Sequence, residues 1–257
     1  FKNFKSLIPT QFVIYADFET FQKPLNQQKG KNTILLKKHK PCSFGAIRIS
    51  TVDSLSSAPY VYHGTNVIKN FLKYLKSQED IINSFFQLNY PLHMTKKSTF
   101  IHSTCTHCQI CKQKFSNIIE KCRDHNHLKK TDNYRKTICN RCNLTYASDR
   151  LQTKIPVIMH NLGNYDAKLI FAALGKTNFN LGKLSIIPRN TERFLSFSIG
   201  NFQFIDSFQH LTSSLSNLVE NLKLNNSDEF FHTKKFCPIN YKLLLSKQPY
   251  HIALQKN

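Results

Sequence analysis

Phe12-Val13-Ile14-Tyr15-Ala16-Asp17-Phe18-Glu19-Thr20 is the stretch on which the reading of this chain turns. Successive side chains of a β-strand point to opposite faces, so Phe12, Ile14, Ala16 and Phe18 fall on one side and Asp17 and Glu19 share the other. The first face is apolar enough to bury. The second sets two carboxylates at the surface of a buried strand. Joined by a third acid from elsewhere, such a pair suits divalent-metal chemistry on phosphodiesters; alone, it is more often the solvated face of an ordinary strand. The third acid is sought in His160-Asn161-Leu162-Gly163-Asn164-Tyr165-Asp166. That segment follows a short strand, Ile155–Met159, and leads into a helix with Leu169, Ile170, Phe171 and Leu174 apolar and Gly175 at its end.

Outward from these two segments, residues 43–49 read as a second apolar strand after a lysine-rich, looped stretch at 29–40, the chain's one low-complexity run. Val67, Ile68, Phe71, Leu72 and Leu75 recur with helical spacing behind Asn66 as a cap. Residues 195–199 alternate, Gly200-Asn201 offers a two-residue turn, and residues 202–205 return, which is a hairpin signal. Ser213-Ser214 cap a helix carrying Leu215, Leu218, Val219 and Leu222 on one stripe. The tail from Asn225 is polar, basic and without readable period. Strands and helices mixed in this order predict an α/β layer with a mixed sheet.

With 36 Lys and Arg against 15 Asp and Glu, the formal charge is +21. That excess, spread over the whole length, favours a polyanionic partner, because each phosphate neutralised releases condensed counterions. Nucleic acid fits best. A membrane is not expected, since no apolar run approaches the roughly 20 residues of a spanning helix.

Residues 90–150 lose apolar period and fill with Cys, His, Lys and Asn. Six of the eight cysteines lie between Cys105 and Cys142, a clustering that favours metal in a reducing, intracellular compartment over disulfides. Cys108-Gln-Ile-Cys111 and Cys139-Asn-Arg-Cys142 are two C-x-x-C knuckles 27 residues apart. Four thiolates close a tetrahedral Zn2+ site and clip together a segment too polar to fold by burial. Cys105 offers an alternative pair with Cys108; Cys111 is preferred because it leaves Phe115 to pack beneath the metal loop. Cys42, Cys122 and Cys237 read as ordinary thiols.

The Ala16-Asp17-Phe18-Glu19-Thr20 stretch and the later Asn-x-x-x-Tyr-Asp resemble the first and second exonuclease motifs of family B DNA polymerases, most closely the protein-primed branch of phages, linear plasmids and virus-like mobile elements. Phe204-Ile205-Asp206-Ser207-Phe208 and Ser213-Ser214-Leu215-x-x-Leu218 are similar to the stretch beyond the second motif, in the family's order. The resemblance implies an RNase H-like mixed-sheet domain, in two parts at 1–90 and 151–257, interrupted by a zinc-stapled ββα-type insert at 91–150. It implies a 3′-5′ proofreading exonuclease in which Asp17, Glu19 and Asp166 bind Mg2+ or Mn2+. Thr20, Asn161 and Tyr165 would touch the single-stranded 3′ end of a primer-template, and either Ser207 or Ser214 would do the same. A terminal-protein primer is a further implied partner. No Tyr-x-x-x-Asp follows, so the chain is expected to stop before the family's third exonuclease motif.

For each residue a plainer role stands beside this one: Asp166 as a helix cap, Tyr165 in the core, Asn161 satisfying a strand-end backbone group, and Asp206, the favoured case, as a turn residue. Inside the insert, Arg123-Asp124-His125-Asn126-His127, with Asn143 after the last knuckle, resembles the ββα-metal fold of recombination endonuclease VII. That resemblance implies Asp124 and Asn143 on Mg2+ and His125 as general base. The alternative has Asp124 and His125 buttressing a zinc module that grips DNA. Lys129, Lys130, Arg135, Lys136 and Arg141 are expected to face phosphate.

Overall fold

The computed structural model describes residues 10–146, 154–175, 181–188, 190, 194–225 and 227–246; the end of the tail, with Gln248-Pro249-Tyr250-His251, lies outside them. In chain order the elements are β1 (Phe12–Gln28), β2 (Ile34–Ser50), β3 (Tyr60–His63), α1 (Val67–Phe86), α2 (Lys96–Thr104), β4 (Lys121–His125), β5 (Tyr134–Cys139), α3 (Asn140–Tyr146), β6 (Ile155–Met159), α4 (Asp166–Leu174), β7 (Leu184–Pro188), β8 (Phe194–Ile199), β9 (Phe202–Asp206) and α5 (Leu215–Asn225). Seven strands form one sheet ordered β3-β2-β1-β6-β9-β8-β7, and β4 pairs with β5 in a separate two-stranded sheet. The three central strands β1, β6 and β9 are parallel, with antiparallel strands on either side. The mixed α/β sheet is thus the layer that the alternation and helical spacing predict.

The faces sort as the period of two demands. Phe12, Ile14 and Phe18 of β1, Phe44 of β2, Val157 of β6 and Phe204 of β9 are all buried, under Phe71, Leu72 and Leu75 of α1 and Ile170 of α4. Phe18, Phe44 and Phe71 meet edge to face with ring centroids 4.9–6.3 Å apart, a geometry that adds to burial. The hairpin at Gly200-Asn201 forms as expected, with Gly200 at φ +56; a Cβ there would lie 1.8 Å from the Leu181 carbonyl oxygen, so the turn tolerates glycine alone.

Two local expectations are corrected. Of residues 29–40, only 29–33 form a loop: β1 runs to Gln28 and β2 starts at Ile34, so 34–40 are strand and the two pair as a long ribbon. Asn66 stands at the N-cap of α1 but is left-handed, at φ 55, and its side chain makes no cap bond. By contrast, the Ser214 hydroxyl accepts the Asn217 N–H at 3.2 Å and caps α5. Among the described residues, no helix is long and apolar enough to cross a membrane.

Candidate functional site

Acids gather where the parallel pairing of β1, β6 and β9 ends. β1 presents Asp17 and Glu19; β6 runs through the 160–165 turn into Asp166, the first residue of α4; and β9 ends at Asp206, paired in register with Met159. The outer edge of parallel strands is where open α/β sheets bind ligands. Asp166 is buried and feels the charges of Asp17, Asp206 and Glu19. Burial first, then Asp17, pushes its carboxyl up to about 7, against its own main-chain N–H, which pulls it down. Its Oδ1 is buried without a hydrogen-bond partner. Asp17 opens to solvent, yet the protein around it desolvates it and Glu19 repels it; despite the Phe18 N–H at 3.0 Å, its carboxyl is pushed up to about 6.

No lysine or arginine pairs with any of these four acids among the described residues. In a chain of net charge +21, that gap is a physical signal: like charges gathered without a counter-ion suit a cation, and an all-carboxylate donor set suits a hard one. The acids do not, however, form a closed ligand set. Among the described residues, one group of three or more His, Cys, Asp or Glu brings its ligand atoms within reach of a single ion, and it is made of cysteines.

Around the acids, the Tyr165 hydroxyl hydrogen-bonds to Thr20 Oγ1 and lies 2.5 Å from His39 Nδ1, with the two rings edge to face. Tyr165 is therefore a hydroxyl carried to the strand of Asp17 and Glu19, not a core residue. Asn161 is left-handed, at φ 65, and its Oδ1 accepts from Asn164 Nδ2 at 2.5 Å, a side-chain partner rather than the strand-end backbone group expected. His160, within the second motif but without an expected role, donates from Nε2 to the Ser213 carbonyl at 2.9 Å, so in the neutral ring Nδ1 accepts from the Ser207 hydroxyl at 3.0 Å. Of the two serines, Ser207 faces the acids and Ser214 is spent on its helix.

Asp206 is more than the favoured turn residue. It does cap the turn at Ser207, accepting the Phe208 N–H at 3.0 Å, but it is buried, holds the Gly163 N–H at 2.9 Å and adds its charge to Asp166. The signal was the alternation itself: Asp206 continues the inward phase of Phe202 and Phe204. On the acid side of the sheet, Tyr15, Ile47, Val61 and Ile158, with Leu215 and Leu218 of α5, line a groove of about 500 Å3 that reaches Asp17, His160 and Ser207.

The second site lies in the β4–β5 module. The sulfurs of Cys108, Cys111, Cys139 and Cys142 all lie within 4.8 Å of one another and can hold a metal ion such as zinc. Main-chain N–H groups already point at them: Cys139 N–H to Cys108 Sγ at 3.3 Å and Cys142 N–H to Cys139 Sγ at 3.4 Å. Burial acts to raise the Cys108 thiol, but the main-chain N–H groups of Cys111, Cys139 and Ile110 prevail and bring it down to about 7; burial and the neighbouring thiols push Cys142 up. Phe115, Ile110 and Ile138 pack around the sulfurs, as expected for Phe115. Cys105 stays out, donating to the His107 carbonyl at 3.1 Å.

The Mg2+ role expected for Asp124 meets an obstacle. Asp124 is buried and both its oxygens are taken by a fork from Arg135, Nε to Oδ2 at 2.9 Å and Nη2 to Oδ1 at 2.7 Å. Arg135 thus turns inward rather than toward phosphate. His125 follows a register shift in β4, its ring 4.2 Å from that of His127, while Asn143 sits on α3.

No protein-family model, no curated protein and no solved structure matches this chain.

Proposed function

We propose that this chain is the proofreading part of a protein-primed family B DNA polymerase: an RNase H-like 3′-5′ exonuclease acting on single-stranded DNA ends. The observation that carries the reading is the set of four acids, with no lysine or arginine paired to them among the described residues, where the parallel pairing of three strands ends, two of the acids held far above their ordinary carboxyl values. Asp17, Glu19 and Asp166 would hold Mg2+ or Mn2+, which when bound supplies a polarised water and stabilises the leaving oxygen. The orphan Asp166 Oδ1 is the atom with most to gain from such a partner.

The chain's own groups do the rest. Tyr165, steadied by Thr20 and His39, offers its hydroxyl beside the acids, and the apolar groove beneath α5 gives a base of the single strand a surface to lie on. Because raised carboxyls must lose protons to take a cation, metal affinity and cleavage fall as pH drops through about 7 to 6. The insert is read as a structural zinc module rather than a second nuclease, because Arg135 occupies Asp124.

The test is a pair of variants on a 3′-labelled single strand with Mg2+ or Mn2+. Asp17→Ala should cut degradation at least about 10³-fold, the scale of losing a group that acts only in the transition state, while His125→Ala leaves it within a factor of about two. The reverse pattern would make the insert the nuclease. Salt-sensitive DNA binding with no cleavage by any form would leave a binding protein.

A further inference from the structure

Beyond Glu19 the β1–β2 pair leaves the sheet. β6 pairs with β1 only at Ile14 and Tyr15, and β3 with β2 only over residues 43–46, so from Thr20 to Pro41 two strands stand as a ribbon with no third strand. Every residue from 22 to 34 is exposed. A lone two-stranded ribbon is at best marginally stable in water, and this one is loaded against itself: residues 20–41 contain six lysines and no acid. Lys23 stands directly opposite Lys38, an arrangement that costs stability. No carboxylate pairs with any of the six among the described residues.

The faces of the ribbon are unequal. Alternation along β1 sets Phe21 and Lys23 on the side of Asp17 and Glu19, across a register shift at Glu19 and Thr20 in which β2 carries one extra residue, Cys42. Register places Lys40 opposite Phe21 and Lys38 opposite Lys23, so three lysines continue the acid face. The other side carries Gln22, His39 and Lys37, with Lys37 donating to Gln22 at 3.0 Å and His39 meeting Tyr165 at the acid site. Nine residues at about 3.3 Å each give an arm of roughly 30 Å, close to one turn of B-form DNA at about 34 Å. A two-stranded ribbon is also a shape the major groove admits.

We propose that this ribbon is a clamp for double-stranded DNA, its Lys23, Lys38 and Lys40 face lying on the phosphates of the duplex behind the 3′ end. The inference rests on the exonuclease reading for the choice of DNA. The duplex neutralises the lysines that repel one another, and the root of the arm delivers its end to the acids.

The experiment measures binding by fluorescence anisotropy, in EDTA and over a range of KCl, to a labelled duplex with a short 3′ overhang and to a single strand of equal length. With Lys23→Gln, Lys38→Gln and Lys40→Gln combined, duplex affinity should fall at least tenfold. The slope of log K against log salt should shrink by about 2.7, at 0.9 per phosphate contact, with the single strand changed less than about threefold, on the lower slope that single strands show. Lys37→Gln on the opposite face should leave both within a factor of about two. Lys23→Glu checks that lost binding is not lost folding: a cross-strand pair with Lys38 should hold or raise the melting temperature while duplex affinity drops. Unchanged duplex affinity in the triple variant, or equal losses on both DNAs, overturns the clamp. Wild-type protein that binds neither DNA overturns the exonuclease reading instead.

Discussion

In the cysteine centre, like ligands are gathered with their needs largely met: three of the four are buried, N–H groups point at two of the sulfurs, and an apolar cluster packs around them. In the acid cleft, four carboxylates are gathered with needs left open: Asp166 Oδ1 has no partner, Asp17 faces solvent, and a groove leads in. The first arrangement has no place for a substrate and suits a clip. The second stores electrostatic discomfort next to open space, which is how sites that do chemistry differ from sites that hold structure.

The contrast breaks most sharply at Cys139. Cys139→Ser should eliminate zinc from the protein and unfold the β4–β5 module, since structural zinc is worth about 10–16 kcal/mol in small peptides. The seven-stranded sheet should persist, because its core contains none of these cysteines. Zinc content by atomic emission and amide exchange over residues 121–139 measure this directly. Loss of protection in β1 and β6 along with β5 would mean that the two regions fold as one.

A smaller effect, of opposite sign, is expected in the cleft. The Asp166 carboxyl is held up from 3.8 to about 7, so over that range the native state keeps a proton that the unfolded chain has released. Stability is therefore lost as pH rises from about 4 through 7. In metal-free buffer at pH 8, Asp166→Asn should be more stable than wild type by on the order of 1–3 kcal/mol, and the gap should close near pH 4. Added Mg2+ should raise the melting temperature of wild type and leave the variant unmoved. A variant less stable than wild type at pH 8 would show that Asp166 is compensated after all.

Chemistry written within a few residues is legible in the sequence; of the chemistry assembled across strands, the joining of Asp166 to Asp17 and Glu19 is legible only through a resemblance, and the rest is not. The C-x-x-C spacing declares its four sulfurs locally, and the alternation of Phe12 to Glu19 declares a buried strand with acids on its far face. The strand at 34–40 is hidden because lysine content is a loop signal, whereas pairing of Lys38 with Lys23 is a non-local event. The sequence leaves Asp124 open between a Mg2+ ligand and a buttress of the zinc module, because Arg135 reaches it only when β4 and β5 pair. Asp206 was undervalued because a turn explains it without Asp166, whose approach depends on β6 and β9 lying parallel.

The two serines beyond β9 give the finest version of the same comparison, one hydroxyl spent on its own helix and one held by His160 at the groove. Ser214 gives its hydroxyl to the Asn217 N–H, so Ser214→Ala should cost about 1 kcal/mol, a typical cap loss, or about 2–4 °C in melting temperature for a chain of this size. The Michaelis constant for a single-stranded end should not move. Ser207 lies at the mouth of the groove, its hydroxyl shared with His160, which is tied in turn to the Ser213 carbonyl. Ser207→Ala should therefore leave the melting temperature within about 2 °C, the effect of a substitution that strips no buried donor or cap, and raise the Michaelis constant by several-fold. Thermal melts and initial rates on the two variants separate the roles, and a rise in the Michaelis constant for Ser214→Ala at unchanged stability would exchange them. Position in sequence cannot make that distinction, since both serines precede an apolar residue in a similar run; only the hydroxyl's partner does.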